Sequence, residues 1–365
     1  MRVLFAGGGT GGHLYPGLAI ARALVRERPD VAPYFVGAER GIEREVLPST
    51  GFAYRLLDLH PLYRSRPWRS WRTAAGLASA WRSLGGIARE DRPALVVGTG
   101  GYASGAALAW AVRAGVPLVL QEQNSYPGMT TRFFARRARE VYLGYGEAAA
   151  RLRVRPTTWL GETGNPIAPP PEPRPARAAA RREWGFPESG GAVVLAFGGS
   201  QGARPINDAL AGWVARGLPD GVHLIWATGR ASYERYAHLE AQRVRVVPYL
   251  SPIERAYAAT DLAVTRSGAL TLAELCAWGI PMILVPLPTA AADHQTANAR
   301  VVADAGAAIA VAQSEFSAPR LDADVRRLTA NAAALALIAA HAAGRGRPNA
   351  AQEIARRIAN LLPPA

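Results

Sequence analysis

The sequence predicts an α/β protein made of two doubly wound domains in tandem, and three observations support this. Short apolar runs alternate with Ala-, Leu- and Arg-rich stretches of helical spacing, which is the βαβ pattern of a parallel sheet. This pattern stops at the proline-rich segment 164–184 and then restarts. Three glycine-rich turns each follow an apolar run and precede a helical one, an arrangement suited to binding phosphate at helix N-termini.

Ten apolar runs are predicted to be buried strands. They read RVLFAG, APYFVG, ALVVGTG, VPLVLQE and EVYLGYG in the first half, and AVVLAFGG, VHLIWATG, VRVVPYL, DLAVTRSG and PMILVPLP in the second. The proline density of segment 164–184 predicts a linker without regular structure. The expected domains are therefore 1–164 and 165–345, followed by an amphipathic helix within 346–365. Asn349 and Gln352 are spaced as a capping box for that helix.

Composition narrows the class of protein. The chain has 365 residues, of which 49% are hydrophobic, and a formal net charge of +14. All 42 basic residues are arginine. A single cysteine, Cys276, excludes a disulfide framework and is typical of a reducing compartment. No signal peptide and no membrane-spanning helix is predicted. The positive charge leaves nucleic acid, anionic lipid and phosphorylated substrates as candidate partners.

The glycine-rich turns carry the first prediction about chemistry. They read GGGTGGH at 7–13, GTGGYASG at 98–105 and GGSQGA at 198–203. Glycine lets the backbone approach a ligand closely, and the following helix presents unpaired N–H groups, so we expect phosphate or diphosphate binding. His13 directly follows the first turn. The helix dipole there disfavours the cationic imidazole, which suits a general base.

The first turn also permits a different class of enzyme. Gly7, Gly9 and Gly12 match the GxGxxG pattern, and Glu39 lies where a dinucleotide-binding domain holds its ribose carboxylate. A nicotinamide or flavin oxidoreductase would explain this turn but not the glycine turns in both halves. A Walker A loop is excluded because the chain has no lysine.

Two segments of the second half carry polar groups suited to a sugar nucleotide. TRSGALTLAE at 265–274 places Ser267 at a strand-to-helix turn for phosphate and Glu274 in the helix for two ribose hydroxyls. PTAAADHQTANA at 288–299 places four polar residues at a loop-to-helix junction, where they would suit sugar hydroxyls: Asp293, His294, Gln295 and Asn298. Each segment alone also fits an ordinary solvated helix or helix cap.

Seven motifs taken in order resemble the MurG family, the undecaprenyl-diphospho-muramoylpentapeptide β-N-acetylglucosaminyltransferases of peptidoglycan synthesis. They are GGTGGHLYPGLAIA, GTGGYASG, QEQNSYPG, GNPI, GGSQGARPIN, RSGALTLAE and DHQTANA. The resemblance implies a GT-B fold, with two Rossmann-like domains facing across a cleft and the C-terminal helix returning to the first. It implies UDP-GlcNAc as donor, lipid I as acceptor, inversion at the anomeric carbon, and lipid II and UDP as products, with no cofactor.

The resemblance also implies site residues. His13 and Glu274 would be the catalytic pair, with His13 as base and Glu274 on the ribose. The donor site would contain Thr10, Gly11, Gly12, Asn124, Ser200, Gln201, Leu250, Ser267, Glu274, His294 and Gln295. The acceptor site would contain Gly9, Thr10, His13, Gly100, Gly101, Tyr102 and Asn124. No metal ligand is expected.

The chain departs from the family pattern at three places. Gln121 stands where the family often has histidine, and Ala168 stands where an arginine is common, so Arg204 or Arg266 would supply that charge. His294-Gln295 replaces a glutamine pair of some members. A separate Asp-x-Asp sequence, LDAD at 321–324, follows Pro319 and is interpreted as an acidic helix start rather than a metal site.

One segment addresses how a lipid-linked acceptor is reached. Trp68, Trp71, Leu77 and Trp81 are interleaved with arginines in 62–84, a pattern typical of a membrane interface with anionic headgroups. We expect a peripheral protein on the cytoplasmic face of the membrane. The same residues would also fit a helix packed in the core, while no nucleic-acid module is recognised. A UDP-sugar 2-epimerase and a non-catalytic binding protein are the remaining alternatives.

Overall fold

The computed structural model describes residues 1–59, 70–90, 92–199 and 201–364. The chain forms two compact units. Unit 1 comprises Met1–Ala168 together with Asn349–Ala365, and unit 2 comprises Pro169–Pro348.

Unit 1 contains a seven-stranded parallel sheet. Its strands are β1 (Arg2–Gly7), β2 (Ala32–Ala38), β3 (Ala53–Leu57), β4 (Leu95–Gly100), β5 (Leu118–Glu122), β6 (Glu140–Leu143) and β7 (Trp159–Glu162). Their order across the sheet is β3-β2-β1-β4-β5-β6-β7, and every neighbouring pair is parallel. The central strands β1, β4 and β5 are buried almost throughout, as helix-covered parallel strands are.

Helices cover both faces of this sheet. They are α1 (Gly11–Glu27), α2 (Glu43–Val46), α3 (Ser70–Glu90), α4 (Gly101–Ala114), α5 (Met129–Phe134) and a C-terminal helix (Ala350–Leu361). One apolar core joins α3 and α4 to the sheet, and another joins α1 and the C-terminal helix to the opposite face. The C-terminal helix is anchored by Arg357, which pairs with Glu140 at 2.7 Å and lies over the Trp159 ring.

Unit 2 contains a six-stranded parallel sheet. Its strands are β8 (Ala192–Phe197), β9 (Val222–Ala227), β10 (Val244–Val247), β11 (Leu262–Thr265), β12 (Met282–Leu284) and β13 (Ala308–Ala310), in the order β10-β9-β8-β11-β12-β13. Its helices are α6 (Arg177–Glu183), α7 (Arg204–Ala215), α8 (Tyr233–Tyr236), α9 (Glu254–Ala259), α10 (Ala269–Trp278), α11 (His294–Asp304), α12 (Ala318–Thr329) and α13 (Ala332–Arg345).

The strand order places the predicted motifs at the two switch points. The chain reverses direction across the sheet between β1 and β4 in unit 1 and between β8 and β11 in unit 2. Ligands of doubly wound folds bind outside the carboxyl ends of the strands at such points. The three glycine turns follow β1, β4 and β8, and the Ser267 turn follows β11. The predicted α/β class is confirmed, and all ten predicted runs contain strands.

Two local predictions are wrong. The supposed linker 164–184 contains helix α6, because its prolines end at Pro175 and the following RAAARRE is rich in helix formers. Arg181 of α6 pairs with Asp261 at 2.6 Å, which fastens the helix to unit 2. The capping box at Asn349 does not form, since the Asn349 side chain accepts no cap hydrogen bond.

The LDAD sequence lies inside α12 and is used structurally. Asp322 accepts hydrogen bonds from Trp213 and Arg326. Asp324 accepts from Arg320 and Arg327. Both carboxylates are therefore committed to helix stabilisation and packing. The predicted acidic helix start is also wrong in position, because α12 begins at Ala318 and its first turn contains no acidic residue.

Candidate functional site

The first two glycine turns meet around His13 in unit 1. His13 lies in the first turn of α1, and Gly100 and Gly101 lie at the junction of β4 and α4. Gly101 has a φ of +78°, and a β-carbon there would lie 2.1 Å from the Gly8 carbonyl oxygen and 3.0 Å from Cδ2 of His13. A β-carbon at Gly100 would lie 2.9 Å from Nδ1 of His13. These glycines are required because the second turn packs directly against the imidazole.

The imidazole of His13 is held by its Nδ1 atom. Nδ1 lies 3.1 Å from the Thr99 carbonyl oxygen and 3.0 Å from Oε1 of Gln123. The Thr99 hydroxyl in turn donates to the His13 carbonyl at 2.7 Å. Both partners of Nδ1 are acceptors and therefore favour a proton on Nδ1, and in the neutral imidazole with that tautomer Nε2 carries the lone pair.

A buried carboxylate, that of Glu43, accepts a hydrogen bond from the backbone of the first glycine turn. Oε1 of Glu43 accepts hydrogen bonds from the backbone N–H of Gly9 at 2.7 Å and of Ala38 at 3.3 Å. The Glu43 side chain is fully buried, and its Oε2 atom has no hydrogen-bond partner. The Gly9 N–H is therefore already used inside the protein. Sequence reasoning considered Glu39 and missed Glu43, whose only signal is its position one turn after a glycine-rich strand end.

The remaining acceptor-site candidates surround the same turns. The Tyr102 ring packs over Gly9, since a β-carbon at Gly9 would lie 2.7 Å from Cε1 of Tyr102. Asn124 follows β5, and its backbone N–H and side-chain amide both donate to Oε1 of Glu122. The second oxygen of Glu122 accepts from the Gly128 N–H at 2.9 Å, which shapes the loop that carries Asn124.

Three further candidates lie at the start of α1. Thr10 occupies the N-cap position and is exposed, and its side chain accepts no cap hydrogen bond. Gly12 is exposed and Gly11 is half-buried. Of the contacts around Gly12, a β-carbon would meet only Oγ1 of Thr10, at 3.7 Å. The helix N-terminus is thus open on this side.

In unit 2, Glu274 is a half-buried carboxylate rather than a solvated helix residue. The Tyr257 hydroxyl donates to Oε2 of Glu274 at 2.8 Å. Burial raises the pKa of the Glu274 carboxyl above its ordinary value, the Tyr257 hydrogen bond opposes this rise, and the charge of Glu254 adds to it. A carboxylate with reduced solvation gains from hydroxyl donors, as a ribose supplies.

Ser267 and Gln295 make hydrogen bonds that connect the turns after β11 and β12 to helix α11. Ser267 is fully buried, and its hydroxyl donates to the Gln295 carbonyl at 2.8 Å. Oε1 of Gln295 accepts from the Leu287 N–H at 3.0 Å, so the side-chain nitrogen is the group that Gln295 offers a ligand. The fully buried Asn298 donates to the Ser267 carbonyl. These bonds fix the turns after β11 and β12 to the start of α11.

His294 follows a strained turn. Ala292 and Asp293 both have a φ of +52°, in the left-handed region that residues with a β-carbon rarely adopt. Nδ1 of His294 lies 2.7 Å from the Ala291 carbonyl oxygen, which favours a proton on Nδ1. Such strain is concentrated at functional turns, where the surrounding structure maintains it.

Arg266 is a buried cation at the carboxyl end of β11. Its guanidinium donates to the carbonyls of Val285 and Pro286 and to Oε1 of Gln313. These partners are neutral, and burial lowers the pKa of Arg266 below its ordinary value. The other candidate, Arg204, is exposed and lies 3.6 Å from Asp208. Among the described residues no carboxylate pairs with Arg266, whose partners there are all neutral.

For the other predicted site residues, the structure gives only their location and exposure, or does not describe them. Leu250 is buried in the segment after β10, and Gln201 is exposed in the third glycine turn. Ser200 lies outside the described residues, as does Trp68. Trp71 and Leu77 lie in α3, but their side chains are not described. Trp81 of α3 is 42% exposed.

A second aromatic surface was not predicted. Phe133 and Met129 of α5 are 65% and 53% exposed, and Arg132, Arg136 and Arg137 beside them are exposed as well. The Arg137 guanidinium lies 5.8 Å from the Phe133 ring centre. In the sequence this segment reads FFARR, which is too short to show whether its aromatic side chains lie on the surface or in the core.

Two searches of the described residues concern metals and membranes. Within the described ranges, no group of three or more His, Cys, Asp or Glu side chains is placed to hold a metal ion. None of the helices in this part of the chain has the length and apolar character needed to cross a membrane.

Two models of one glycosyltransferase family match most of the chain. Residues 3–143 match the glycosyltransferase family 28 N-terminal domain, and residues 193–355 match the glycosyltransferase family 28 C-terminal domain. The chain is therefore a glycosyltransferase of family 28. Solved structures of glycosyltransferases resemble it along almost its whole length, and the predicted GT-B class is confirmed.

Curated relatives narrow the family. A UDP-N-acetylglucosamine–N-acetylmuramyl-(pentapeptide) pyrophosphoryl-undecaprenol N-acetylglucosamine transferase of Moorella thermoacetica is 40% identical over 98% of both chains. A relative of the same name from Salinibacter ruber is 38% identical over 98% of this chain and 96% of its own. The crystal structure of Acinetobacter baumannii MurG has a TM-score of 0.78 at 25% identity and covers 98% of this chain and 99% of that one. The chain belongs to the MurG family.

The comparisons also bear on two alternative functions, the UDP-sugar 2-epimerase and the oxidoreductase. A structure described as a putative UDP-N-acetylglucosamine 2-epimerase from Listeria monocytogenes has a TM-score of 0.64 at 14% identity, which shows a shared fold alone. The oxidoreductase interpretation rested on the GxGxxG match of Gly7, Gly9 and Gly12 and on Glu39, which is exposed just after β2. The matches along both halves instead support the transferase interpretation.

Proposed function

We propose that this protein transfers GlcNAc from UDP-GlcNAc to the 4-hydroxyl of MurNAc in lipid I, giving lipid II and UDP in peptidoglycan synthesis. The names of relatives that are 35–40% identical along nearly the whole chain support this substrate pair. The structural observation that carries the proposal is the geometry of His13. Its Nδ1 faces two acceptors, which leaves the Nε2 lone pair for an acceptor hydroxyl.

The proposed reaction is a single displacement. The 4-hydroxyl oxygen forms a bond to the anomeric carbon of GlcNAc while its proton moves to Nε2 of His13. The bond between the anomeric carbon and the diphosphate oxygen breaks, and UDP leaves with the electron pair. One displacement inverts the anomeric configuration and yields a β linkage.

The acceptor groups belong to unit 1 in this proposal. Gly9, Thr10, Gly100, Gly101, Tyr102 and Asn124 would surround the acceptor with His13. Because the Gly9 N–H is bonded to Glu43, the diphosphate of lipid I would use the open N-terminus of α1, at Gly11 and Gly12, instead. Thr10, Gly11, Gly12 and Asn124 are also proposed to contact the donor sugar.

The donor groups of unit 2 would divide the nucleotide sugar among them. Glu274 would accept hydrogen bonds from the ribose hydroxyls, and the backbone at Leu250 would contact the uracil. Ser200, Gln201 and the turn at Ser267 would lie near the diphosphate, while His294 and Gln295 would bind the GlcNAc hydroxyls. The uncompensated guanidinium of Arg266 supports this arrangement, because a diphosphate supplies the missing negative charge.

No cofactor or metal is proposed. The charge that develops on UDP would be stabilised by Arg266, by hydrogen-bond donors and by the N-terminus of α10, which begins at Ala269 after the Ser267 turn. This proposal rests on the groups that are present and is tested with a chelator below.

We also propose that the protein acts at the cytoplasmic face of the membrane as a peripheral protein. The lipid-linked acceptor named for its relatives requires access to a bilayer. The exposed Trp81 and Phe133, with exposed arginines beside Phe133, support contact with an anionic surface. Trp68, Trp71 and Leu77 stay sequence-based candidates for this contact, because Trp68 and the side chains of Trp71 and Leu77 lie outside the described part of the chain. No nucleic-acid partner is proposed.

The direct test is UDP release from UDP-GlcNAc in the presence of a chelator, with and without a short-chain lipid I analogue. We expect release only when the acceptor is present, together with a β-linked disaccharide product. Release without acceptor, or conversion of the sugar to an epimer, would favour the 2-epimerase and refute the transferase. Loss of acceptor-dependent release on adding chelator would refute the metal-independent step alone.

A further inference from the structure

We propose that Gln123, Gln121 and Asn165 form an uncharged positioning network that holds the proton of His13 on Nδ1 and aims Nε2 outward as the base. The inference rests on the proposed function, because it matters for catalysis only if His13 takes the proton of the acceptor. It concerns side chains that the family resemblance did not assign to the site, and one of them, Gln121, replaces a histidine common in the family.

The tautomer of His13 follows first from Thr99. The Thr99 carbonyl oxygen lies 3.1 Å from Nδ1 of His13 and has no hydrogen to donate. An unprotonated Nδ1 would place two lone pairs against each other. The contact is therefore attractive only with the proton on Nδ1, whichever way the neighbouring amides are oriented.

The orientation of Gln123 reinforces this tautomer. Its Nε2 donates to the Thr99 carbonyl at 2.8 Å and to Oε1 of Gln121. Because both of these partners are acceptors, the amide nitrogen of Gln123 must face them, and its Oε1 must face His13 at 3.0 Å. A flipped Gln123 would oppose oxygen to oxygen at Thr99.

Gln121 and Asn165 close the network. Nε2 of Gln121 donates to Oδ1 of Asn165 at 3.2 Å, and Nδ2 of Asn165 donates to the Gln123 backbone carbonyl at 3.0 Å. Gln121 must accept from Gln123 and donate to Asn165 at once, which a carboxamide does. Each amide therefore has one orientation that satisfies all its neighbours, and donation runs from Nδ1 of His13 to Gln123, from Gln123 to Gln121 and from Gln121 to Asn165.

Burial makes these orientations stringent. Gln121, Gln123, Asn165 and Thr99 are each at most 2% exposed, so water does not replace a lost partner. A buried polar group left without its partner destabilises the folded state, because no water compensates for the lost hydrogen bond. The network thus holds the half-buried imidazole of His13 in a fixed orientation. Apart from the Thr99 carbonyl, all of its members are side-chain carboxamides.

The network predicts a spectroscopic property of the unmodified protein. Nitrogen-15 NMR of the histidine rings at neutral pH, with the His13 signals assigned by their loss in His13→Gln, should show the proton on Nδ1. Free imidazole side chains in water prefer the proton on Nε2. Finding His13 as the Nε2–H tautomer would overturn the inference, and this readout needs no variant of the network to fold.

Kinetics of Gln123→Met then test whether the network serves catalysis. Methionine keeps the approximate volume but removes the acceptor for Nδ1–H. We expect kcat for transfer to the lipid I analogue to fall roughly ten-fold or more, with the Kd for UDP-GlcNAc unchanged and a larger Nε2–H fraction at His13. Gln352→Met is the matched control in unit 1, since Oε1 of Gln352 has no hydrogen-bond partner, and it should keep wild-type kcat.

The outcomes separate this inference from the proposed function. If Gln123→Met retains wild-type kcat and tautomer, the network is not a positioning device. If the fall in kcat persists unchanged in the His13→Gln background, the effect does not act through His13, which also overturns the inference. If His13→Gln itself keeps full turnover while wild-type His13 is the Nδ1–H tautomer, the base assignment fails and the network remains a structural finding without a catalytic role.

Discussion

Individual side chains at the two switch points divide into those that the proposed function places on a ligand and those that hold the first group in position. His13 and Glu274 each depend on a second group, the former on the Thr99 and Gln123 oxygens and the latter on the Tyr257 hydroxyl. The motifs predicted His13 and Glu274, because chemistry restricts the residue type at such places. Their partners come from distant segments, and only the folded chain brings Tyr257 within 2.8 Å of Glu274.

The Tyr257 contact leads to a prediction about pH. Removing the hydroxyl in Tyr257→Phe takes away the hydrogen bond that opposes the rise in the pKa of Glu274, so that pKa rises further. If ribose binding needs the carboxylate, affinity is lost as pH falls through this pKa. We therefore expect the Kd for UDP-GlcNAc, measured by calorimetry across pH, to begin rising at a higher pH in the variant than in wild type.

A second tyrosine provides the control for this experiment. Tyr236 also donates to a carboxylate in unit 2, that of Asp208, at 2.6 Å. Tyr236→Phe should leave the pH dependence of UDP-GlcNAc binding as in wild type. Identical pH profiles for Tyr257→Phe and wild type would contradict the proposed role of Glu274.

At the scale of elements, the predicted strands include every interior strand of both sheets and one edge strand, β10. The three strands that the sequence did not reveal, β3, β7 and β13, all lie at sheet edges. Edge strands lack a neighbour on one side, and these three are largely exposed or half-buried, so they carry no continuous apolar run. Helix α6 was missed for a different reason. The prolines just before it predicted irregular structure for the whole segment, although the short stretch that follows them favours a helix.

The junction of β4 and α4 yields a prediction about backbone geometry. Gly101→Ala places a β-carbon at a φ of +78° and 2.1 Å from the Gly8 carbonyl oxygen. We expect a loss of about 1–3 kcal/mol in the free energy of unfolding, and loss of transferase activity because His13 is displaced. Urea unfolding and steady-state kinetics measure the two effects.

Gly105 in the same helix is the matched control. A β-carbon at Gly105 would meet no atom within 4 Å, and alanine is the better helix former by about 0.5–1 kcal/mol. Gly105→Ala should therefore keep its activity and become slightly more stable. Equal activity in the two alanine variants would contradict the close packing of the second glycine turn on His13.

At the scale of the whole molecule, net charge and exposed aromatic groups bear on where the protein acts. The formal charge of +14 favours binding of the protein to an anionic surface. In the proposed function, the exposed groups of α5 are part of the region that makes this contact. The sequence analysis proposed only the segment 62–84, because interleaved Trp and Arg is a recognisable pattern. The α5 surface depends on the exposure of Phe133 and Met129, which periodicity over six residues does not determine.

This surface predicts the effect of a single substitution on membrane binding. Phe133→Ser should weaken sedimentation with phosphatidylglycerol-containing vesicles about ten-fold or more, since burying a phenylalanine contributes about 1.5–3 kcal/mol. Raising the salt concentration should weaken binding further through screening of the arginines. Leu337→Ser is the control, because Leu337 of unit 2 is 59% exposed. Equal losses in both variants would contradict a specific surface at α5.

The central claim is that His13 takes the proton of the acceptor hydroxyl, and the turnover of His13→Gln tests it most directly. The measurement is kcat for GlcNAc transfer to a short-chain lipid I analogue, beside the Kd for UDP-GlcNAc. The account predicts that kcat falls by about 10²–10⁴-fold, the usual contribution of a general base, while donor affinity stays within two-fold, about 0.4 kcal/mol. A variant with normal donor affinity and wild-type kcat would contradict the account.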